Sequence, residues 1–363
     1  MRRVWPVLFT LVVLPAALAS QSVRGRVLDP GRRPIVGALV ELSDLAGKSL
    51  QIVLTAPSGA FQLAAPAAGR YRYRVAAIGF QPRQTTPVDV PPAGVIIPDV
   101  LLAPMTMRLP DLVAVGRGRF CGKAGLSDDT FARLLESARS ALQIMETMVQ
   151  TRQVAFQVAV ITTSTVYGAL TNTAIADTVV QPLRRWPIES IEPDTLRLVG
   201  FGRLLDPGDE ATREYYGPDA RVLFSDWFLD SHCFTVDKPK RNGPSDSLVL
   251  RFAPGRKSRM VDVGGELVLD AHNLALLRFS FTLTNLPTWM PDAAAGGYME
   301  FSRLDSGLWV TRSWSIWAPR AGIAPGPGRW RLRVAGLLEK HGWVTRVYSG
   351  RDTIVIAPRD TTR

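Results

Sequence analysis

Residues 225–234, S-D-W-F-L-D-S-H-C-F, place a serine, two aspartates, a histidine and a cysteine within ten positions. Such a set could support acid–base work by Asp226, Asp230 and His232, or a hydroxyl or thiol nucleophile activated by imidazole. In an extended strand, however, side chains alternate between faces. Asp226, Asp230 and His232 would then share one face, and Ser225, Ser231 and Cys233 the other, so no serine–histidine pair faces the same way. No Gly-x-Ser-x-Gly elbow occurs in the chain. The segment is therefore read as a strand that ends in a structural cysteine. The protein is read as non-catalytic, with Asp226, Asp230 and His232 as the site of the alternative, a hydrolase of unknown class.

Metal and phosphate chemistry find less in the sequence. The three histidines, His232, His272 and His341, form no His-Glu-x-x-His, and there is no Cys-x-x-Cys. Gly116 and Gly118 of V-G-R-G-R-F-C-G lack the Gly-Lys-Ser/Thr of a phosphate loop. No metal and no cofactor are expected.

The tryptophans offer a binding surface instead. In L-W-V-T-R-S-W-S-I-W-A-P-R, strand parity puts Trp309, Thr311, Ser313, Ser315 and Trp317 on one face. A polar strip between two indoles suits a sugar or a lipid headgroup. Nearby, Arg329, Arg331 and Arg333 alternate with Trp330, Leu332 and Val334 and form a candidate anion-facing row.

These residues need a frame, and the chain is long enough for two domains, with 363 residues, 46% hydrophobic and 21% charged. Residues 1–19 have the layout of a cleavable export signal: Arg2 and Arg3, an apolar run from Val4 to Leu14, then Ala17-Leu18-Ala19. No later segment has the length of apolar chain a membrane-spanning helix needs. Removing the leader lowers the net charge from +11 to about +9. That balance could serve an anionic surface, but in an exported protein nucleic acid is not an expected partner. The cysteines, Cys121 and Cys233, are the only two and are expected to form one disulfide.

From Val23 to Leu102, short alternating runs separated by Gly and Pro turns predict an antiparallel sandwich. Gly59 and Gly69 occupy turn positions that favour positive φ. Tyr71, Tyr73 and Val75 alternate with Arg70, Arg72 and Arg74, which should face water. A connector follows, then an amphipathic helix from Ser127 to about Val149 with Phe131, Leu134, Leu135, Ala138, Leu142, Met145 and Val149 on one face. Ten runs after it read as strands, T-L-R-L-V-G-F-G and R-V-L-F-S-D-W-F-L among them, and predict a large curved antiparallel sheet for the helix to cover.

The N-terminal pattern also carries a resemblance. G-R-V-L-D-P-G-R-R-P-I-V-G-A-L-V-E-L, followed by Thr55, the Ser58-Gly59 turn into Phe61, Gly69 with Tyr71, and Gly79-Phe80, resembles the carboxypeptidase regulatory-like family. The resemblance implies a transthyretin-like sandwich that acts as an appended module; it does not imply a peptidase, whose catalytic domain is absent. The region from Gly264 to Arg320 resembles that of uncharacterised exported proteins carrying the same module. Its hairpin meander is similar to the half-barrel of periplasmic lipoprotein carriers.

The expected fold is mainly β: an Ig/transthyretin-like sandwich followed by an α+β domain. Residues 1–19 are the leader, 20–104 the sandwich, 105–126 the connector and 127–363 the helix and sheet. The expected function is a non-catalytic binding or scaffold protein of the cell envelope, in the periplasm or at the outer membrane. Its candidate partners are a glycan bound by the regulatory-like module, a lipid, or another envelope component, with peripheral membrane contact at most. A periplasmic carrier of lipid or another hydrophobic ligand, with the helix closing over the sheet's concave side, is the second reading.

Overall fold

The computed structural model describes residues 21–106, 119–121, 129–168, 171–206, 212–237, 247–256, 258–326, 329–349 and 352–356. The leader at 1–19 and the expected helix cap Ser127 lie outside the described residues.

The N-terminal module is a sandwich of two sheets. One holds β1 (Ser22–Leu28), β4 (Ala60–Ala64), β8 (Val95–Ile96) and β9 (Val100–Leu101). The other holds β2 (Leu39–Ser43), β3 (Ser49–Leu54), β5 (Gly69–Ala76), β6 (Arg83–Gln84) and β7 (Val88–Val90). Alternation fills the space between them: Val23, Val27, Val40, Leu42, Phe61, Leu63, Tyr71, Tyr73 and Val75 form one cluster. Gly59 has φ +74°, and a Cβ there would lie 2.5 Å from Val27 O. Gly69, by contrast, opens β5 outside the left-handed region. Of the three arginines expected to face water, Arg74 does not: its guanidinium pairs with Glu136 and lies 3.0 Å from Ser140 Oγ, both in the helix that follows.

That helix, α1 (Asp129–Thr151), buries the predicted face, Phe131 to Val149, against the sheet beyond it. It also buries Ser140, Ile144 and Met148 on the other side, where Leu39, Leu54 and Ile78 of the first module, and Met105 at the start of the connector, join the same core. Leu54 N donates to Gln153 Oε1 at 2.8 Å across that joint. The helix therefore does not close over an open concavity; it and the module fill the layer where a carried ligand was expected.

The sheet has eleven strands, all antiparallel. Ten run in the order β10 (Arg119–Cys121), β15 (His232–Asp237), β16 (Ser247–Pro254), β17 (Asp262–Asp270), β18 (Leu276–Thr284), β19 (Gly296–Arg303), β20 (Trp309–Gly326), β21 (Arg329–Ser349), β11 (Val154–Tyr167) and β12 (Asn172–Pro182). The eleventh, β22 (Asp352–Val355), pairs with β21. A small hairpin, β13 (Gly202–Leu204) with β14 (Arg213–Tyr215), stands apart. The architecture is thus mainly β, as the alternation implied. β12 was not foreseen.

Three short helices replace two predicted strands. T-L-R-L-V lies in α2 (Pro193–Val199), with proline in its first turn. The segment R-V-L-F-S-D-W-F-L instead forms α3 (Ala220–Leu223) and α4 (Asp226–Ser231). Capping explains the second change: Asp219 accepts from Val222 N at 2.9 Å, and Ser225 accepts from Phe228 N at 3.2 Å. The parity reading of 225–231 therefore fails, because those residues are helical, and Cys233 stands near the start of a strand rather than its end.

Cys121 and Cys233 are bonded and sit directly opposite each other in the β10–β15 register. Their Cα separation of 4.2 Å is close to that of a narrow antiparallel pair. The bridge closes a loop of 112 residues and fastens the connector to the sheet edge. Replacing both cysteines by serine should lower stability by about 2–4 kcal/mol in chemical denaturation. Thiol titration of the denatured, unreduced protein should find none free; two free thiols would refute the bridge.

Half-buried Glu146 of α1 gives a second prediction. Its carboxyl is pushed up to about 7, first by burial and then by the charge of Asp219, with Glu189 adding and Arg221 opposing. Between about 4.5 and 7 the folded protein holds a proton the unfolded chain has lost, so stability should fall as pH rises through that window. Glu146→Gln should flatten the profile and raise stability at pH 8 by about 1–2 kcal/mol, discounted for solvent screening. An unchanged slope in pH-dependent denaturation would reject this account.

Candidate functional site: the outer face of the sheet

The sheet has an inner face, covered by α1, and an outer face turned away from it. Directly paired residues share a face, so the register builds the outer surface strand by strand. One row across it reads Thr235, Arg251, Glu266, Ser280, Tyr298, Ser315 and His341. The neighbouring rows contribute Arg278, Glu300, Ser313 and Trp343 on one side, and Thr282, Gly296, Trp317 and Glu339 on the other.

The charges in this surface are paired locally. Arg251 Nη1 lies 2.9 Å from Asp237, and its Nε lies 2.8 Å from Glu266. Arg278 meets Glu300 at 3.3 Å and sits 4.5 Å above the Tyr298 ring, a cation–π contact. Ser313 donates to Glu300 at 3.0 Å, and Ser315, fully buried, donates to Glu339 at 2.8 Å. Tyr298 Oη lies 3.4 Å from His341 Nδ1. Burial, and then the charge of Glu300, hold the Tyr298 phenol above its ordinary range despite Arg278, so it remains a neutral hydroxyl.

Trp317 borders a cleft of about 660 Å³ lined also by Arg251, Glu266, Arg278, Ser280 and Tyr298. Its indole N–H donates to Ala293 O at 3.1 Å, which fixes the ring. Opposite it stands Gly296, where a Cβ would come within 2.8 Å of Trp317 Cζ2; the missing side chain makes room for the indole.

A β-bulge divides the face predicted from parity. Glu300 pairs with Ser313 but Phe301 pairs with Thr311, so Arg312 is the extra residue. Thr311 accordingly shares the inner face of Phe301 and is buried, and Trp309 packs against the core near Ile144 and Met148. Ser313 and Trp317 stay on the outer face. The structure therefore separates Trp309 and Thr311 from Ser313 and Trp317. Arg331 and Arg333 lie elsewhere again, exposed on the far part of β21 opposite Ala324 and Gly322. Arg329 pairs with Gly326, and its side chain lies outside the described residues.

Of the opening cluster, the structure keeps Ser231 and His232 together, with Ser231 Oγ 3.0 Å from His232 Nδ1. Asp226 and Asp230 are exposed on α4. His232 is buried and stacks on Phe228 at 3.7 Å. Its Nδ1 lies 3.2 Å from Phe228 O, and its Nε2 lies 3.2 Å from both Val263 O and Asp262 Oδ1. Those contacts are of the kind that hold a core histidine. Sequence reading missed Tyr298, Glu300, Glu339, His341 and Trp343 as site residues; alternation marked their strands, but only the register gathers them.

Comparison with known proteins covers the first module. Residues 22–102 match the model of the carboxypeptidase regulatory-like domain. No curated protein matches the chain. Among solved structures, a type II cohesin–X-dockerin complex from Acetivibrio cellulolyticus is 17% identical, over 30% of this chain and 85% of that one, with a TM-score of 0.21. A DUF3823 family protein from Bacteroides uniformis is 9% identical over 66% of this chain and 92% of that one, at 0.21. A DUF1329 family protein from Desulfovibrio piger is 9% identical over 60% and 93%, at 0.25. Agreement that low carries no argument about fold or function. The sandwich at residues 22–102 is a carboxypeptidase regulatory-like domain, as the spaced motifs from Gly25 to Phe80 implied.

Proposed function

We propose that the protein is an exported, non-catalytic binding protein of the cell envelope, and that the outer face of its sheet binds a neutral carbohydrate. One observation carries the reading: Trp317 offers a fixed aromatic plane at a cleft whose charged side chains are paired with one another. A sugar needs an apolar plane for its C–H face and a set of donors and acceptors for its hydroxyls. Carboxylates at Glu266, Glu300 and Glu339 accept, guanidinium groups at Arg251 and Arg278 donate, and Tyr298 and Ser280 do either. Because Arg251 and Arg278 are each already engaged by carboxylates, the cleft gives little reward to an anionic ligand.

The ligand is thus assigned to the sheet rather than to the regulatory-like module. The cleft of about 850 Å³ between the module and the second domain has Arg24, Arg26, Gln62 and Asp99 in its lining, but its one aromatic ring, Phe61, is buried and offers no exposed plane. Export is supported by the leader-like residues 1–19 and by the disulfide, which suits an oxidising compartment. No described helix is long and apolar enough to cross a membrane.

A glycan array with the full chain, followed by calorimetry on any hit, tests the reading. Trp317→Ala should weaken the hit by tenfold or more, about 1.4 kcal/mol. Trp309→Ala should leave affinity unchanged but lower stability by about 1–3 kcal/mol, since that half-buried indole packs against the core. Retention of no glycan, together with hydrolysis of an ester, peptide or glycoside panel, would overturn the proposal in favour of an enzyme.

A further inference from the structure

Past the part of the sheet that α1 covers, two hairpins continue as a wing: β11 with β12, and β20 with β21. The regulatory-like module meets β20 at its Trp309 end, and the wing begins near Ala318, roughly 30 Å further along the strand. Every residue of β12 is exposed.

Register decides what the wing presents. Ile316, Ala318 and Arg320 lie on the inner face and pair with Lys340, Leu338 and Gly336. Arg320 donates to Ser164 Oγ at 2.7 Å on the same face. The pairing then slips: Arg320 faces Gly336, but Ala321 faces Val334, so Ala335 is a bulge. The slip carries Arg331 and Arg333 to the face of Arg320 and Lys340, opposite Ala324 and Gly322. All four cations are exposed, and none is ion-paired among the described residues. Exposed aliphatic side chains stand between them on the same face: Val166, Ile175, Val179 and Leu338. The acids near this face are Asp177 on β12 and Glu189, which borders a cleft with Lys340 and Leu338.

We infer that this face of the wing docks on the surface of an anionic phospholipid bilayer. Its cations complement lipid phosphates, and each such contact near a membrane strengthens binding severalfold. The interspersed aliphatic groups suit the apolar boundary beneath the headgroups, where a soluble polyanion would leave them wet. A second copy laid on the same face would set arginine against arginine. The long edge of β12, which pairs with no further strand among the described residues, is then shielded by the membrane rather than left open to other strands. The inference is independent of the carbohydrate reading, because the cleft by Trp317 lies on the opposite face.

Sedimentation of the full chain with vesicles of phosphatidylglycerol and phosphatidylethanolamine, against vesicles of phosphatidylcholine alone, tests it. Wild-type protein should pellet with the anionic vesicles and be released by salt. R331E/R333E should partition about tenfold or more less, with an unchanged circular dichroism spectrum and unchanged glycan binding, and V179S/L338S should also partition less at constant salt. Equal partition onto both vesicle types, or an undiminished R331E/R333E, would overturn the inference. So would a wild-type dimer in sedimentation velocity that R331E/R333E converts to monomer, since the face would then belong to a second copy.

Discussion

The structure depends on one helix buried on two sides. The sequence makes α1 amphipathic, and its large apolar face meets the sheet, with Phe131 5.8 Å from Phe234. A second stripe at helical spacing, Glu136, Ser140, Ile144 and Met148, points at the regulatory-like module. There the Arg74 guanidinium meets Glu136 and Ser140, while Ile144 and Met148 share a cavity wall with Gly37 and Ile78. Fully burying one large aliphatic side chain is worth about 1.5–3 kcal/mol. Ile144 and Met148 on this stripe, with Leu39, Leu54 and Ile78 of the module in the same cluster, make the module part of the second domain's core rather than an appendage on a free tether.

With the inner face committed to α1, chemistry is left to the outer face and to strand ends that reach past the helix. Which side chains appear there is decided by single residues. Arg312 as a bulge sends Trp309 and Thr311 inward and Ser313 and Trp317 outward. Ala335 as a bulge moves Arg331 and Arg333 from the face of Glu339 to that of Lys340. Glycines act alongside: Gly265, where a Cβ would lie 2.5 Å from Phe252 Cζ, makes room for a ring from the next strand, as Gly296 does for Trp317. Each position costs backbone order and gives a close fit of aromatic rings to the sheet.

Where burial imposed a period, the sequence was legible. Tyr71, Tyr73 and Val75 alternate because they fill a sandwich, and the apolar face of α1 repeats because it lies on a sheet. The disulfide was legible from cysteine number and compartment. The wing was legible only in part: its arginine row on β21 was read from alternation, but β12 is exposed on both faces, so nothing selects an alternating pattern in N-T-A-I-A-D-T-V-V-Q-P. The short helices α3 and α4 were hidden because apolar residues such as Val222, Leu223 and Phe228 suit a strand equally well; the decisive signals were the caps Asp219 and Ser225. Bulges escape parity counting because the bulged residue looks like its neighbours. The Tyr298–His341 contact spans 43 positions and follows only from strand order.

The candidate cleft also differs in kind from a site built on loops. Trp317, Tyr298, Arg278 and Glu266 all project from paired strands, and their neighbours across the sheet fix their spacing. Strand β20 links the parts directly: Trp309 packs near the module at one end, Trp317 borders the cleft midway, and the wing begins near Ala318. A paired strand in a close-packed sheet resists the backbone changes that a closing lid requires. Recognition on this face is therefore set in advance by register. The structural cost of that arrangement lies in the bulges and glycines that turn each side chain to its face, not in a rearrangement when a ligand arrives.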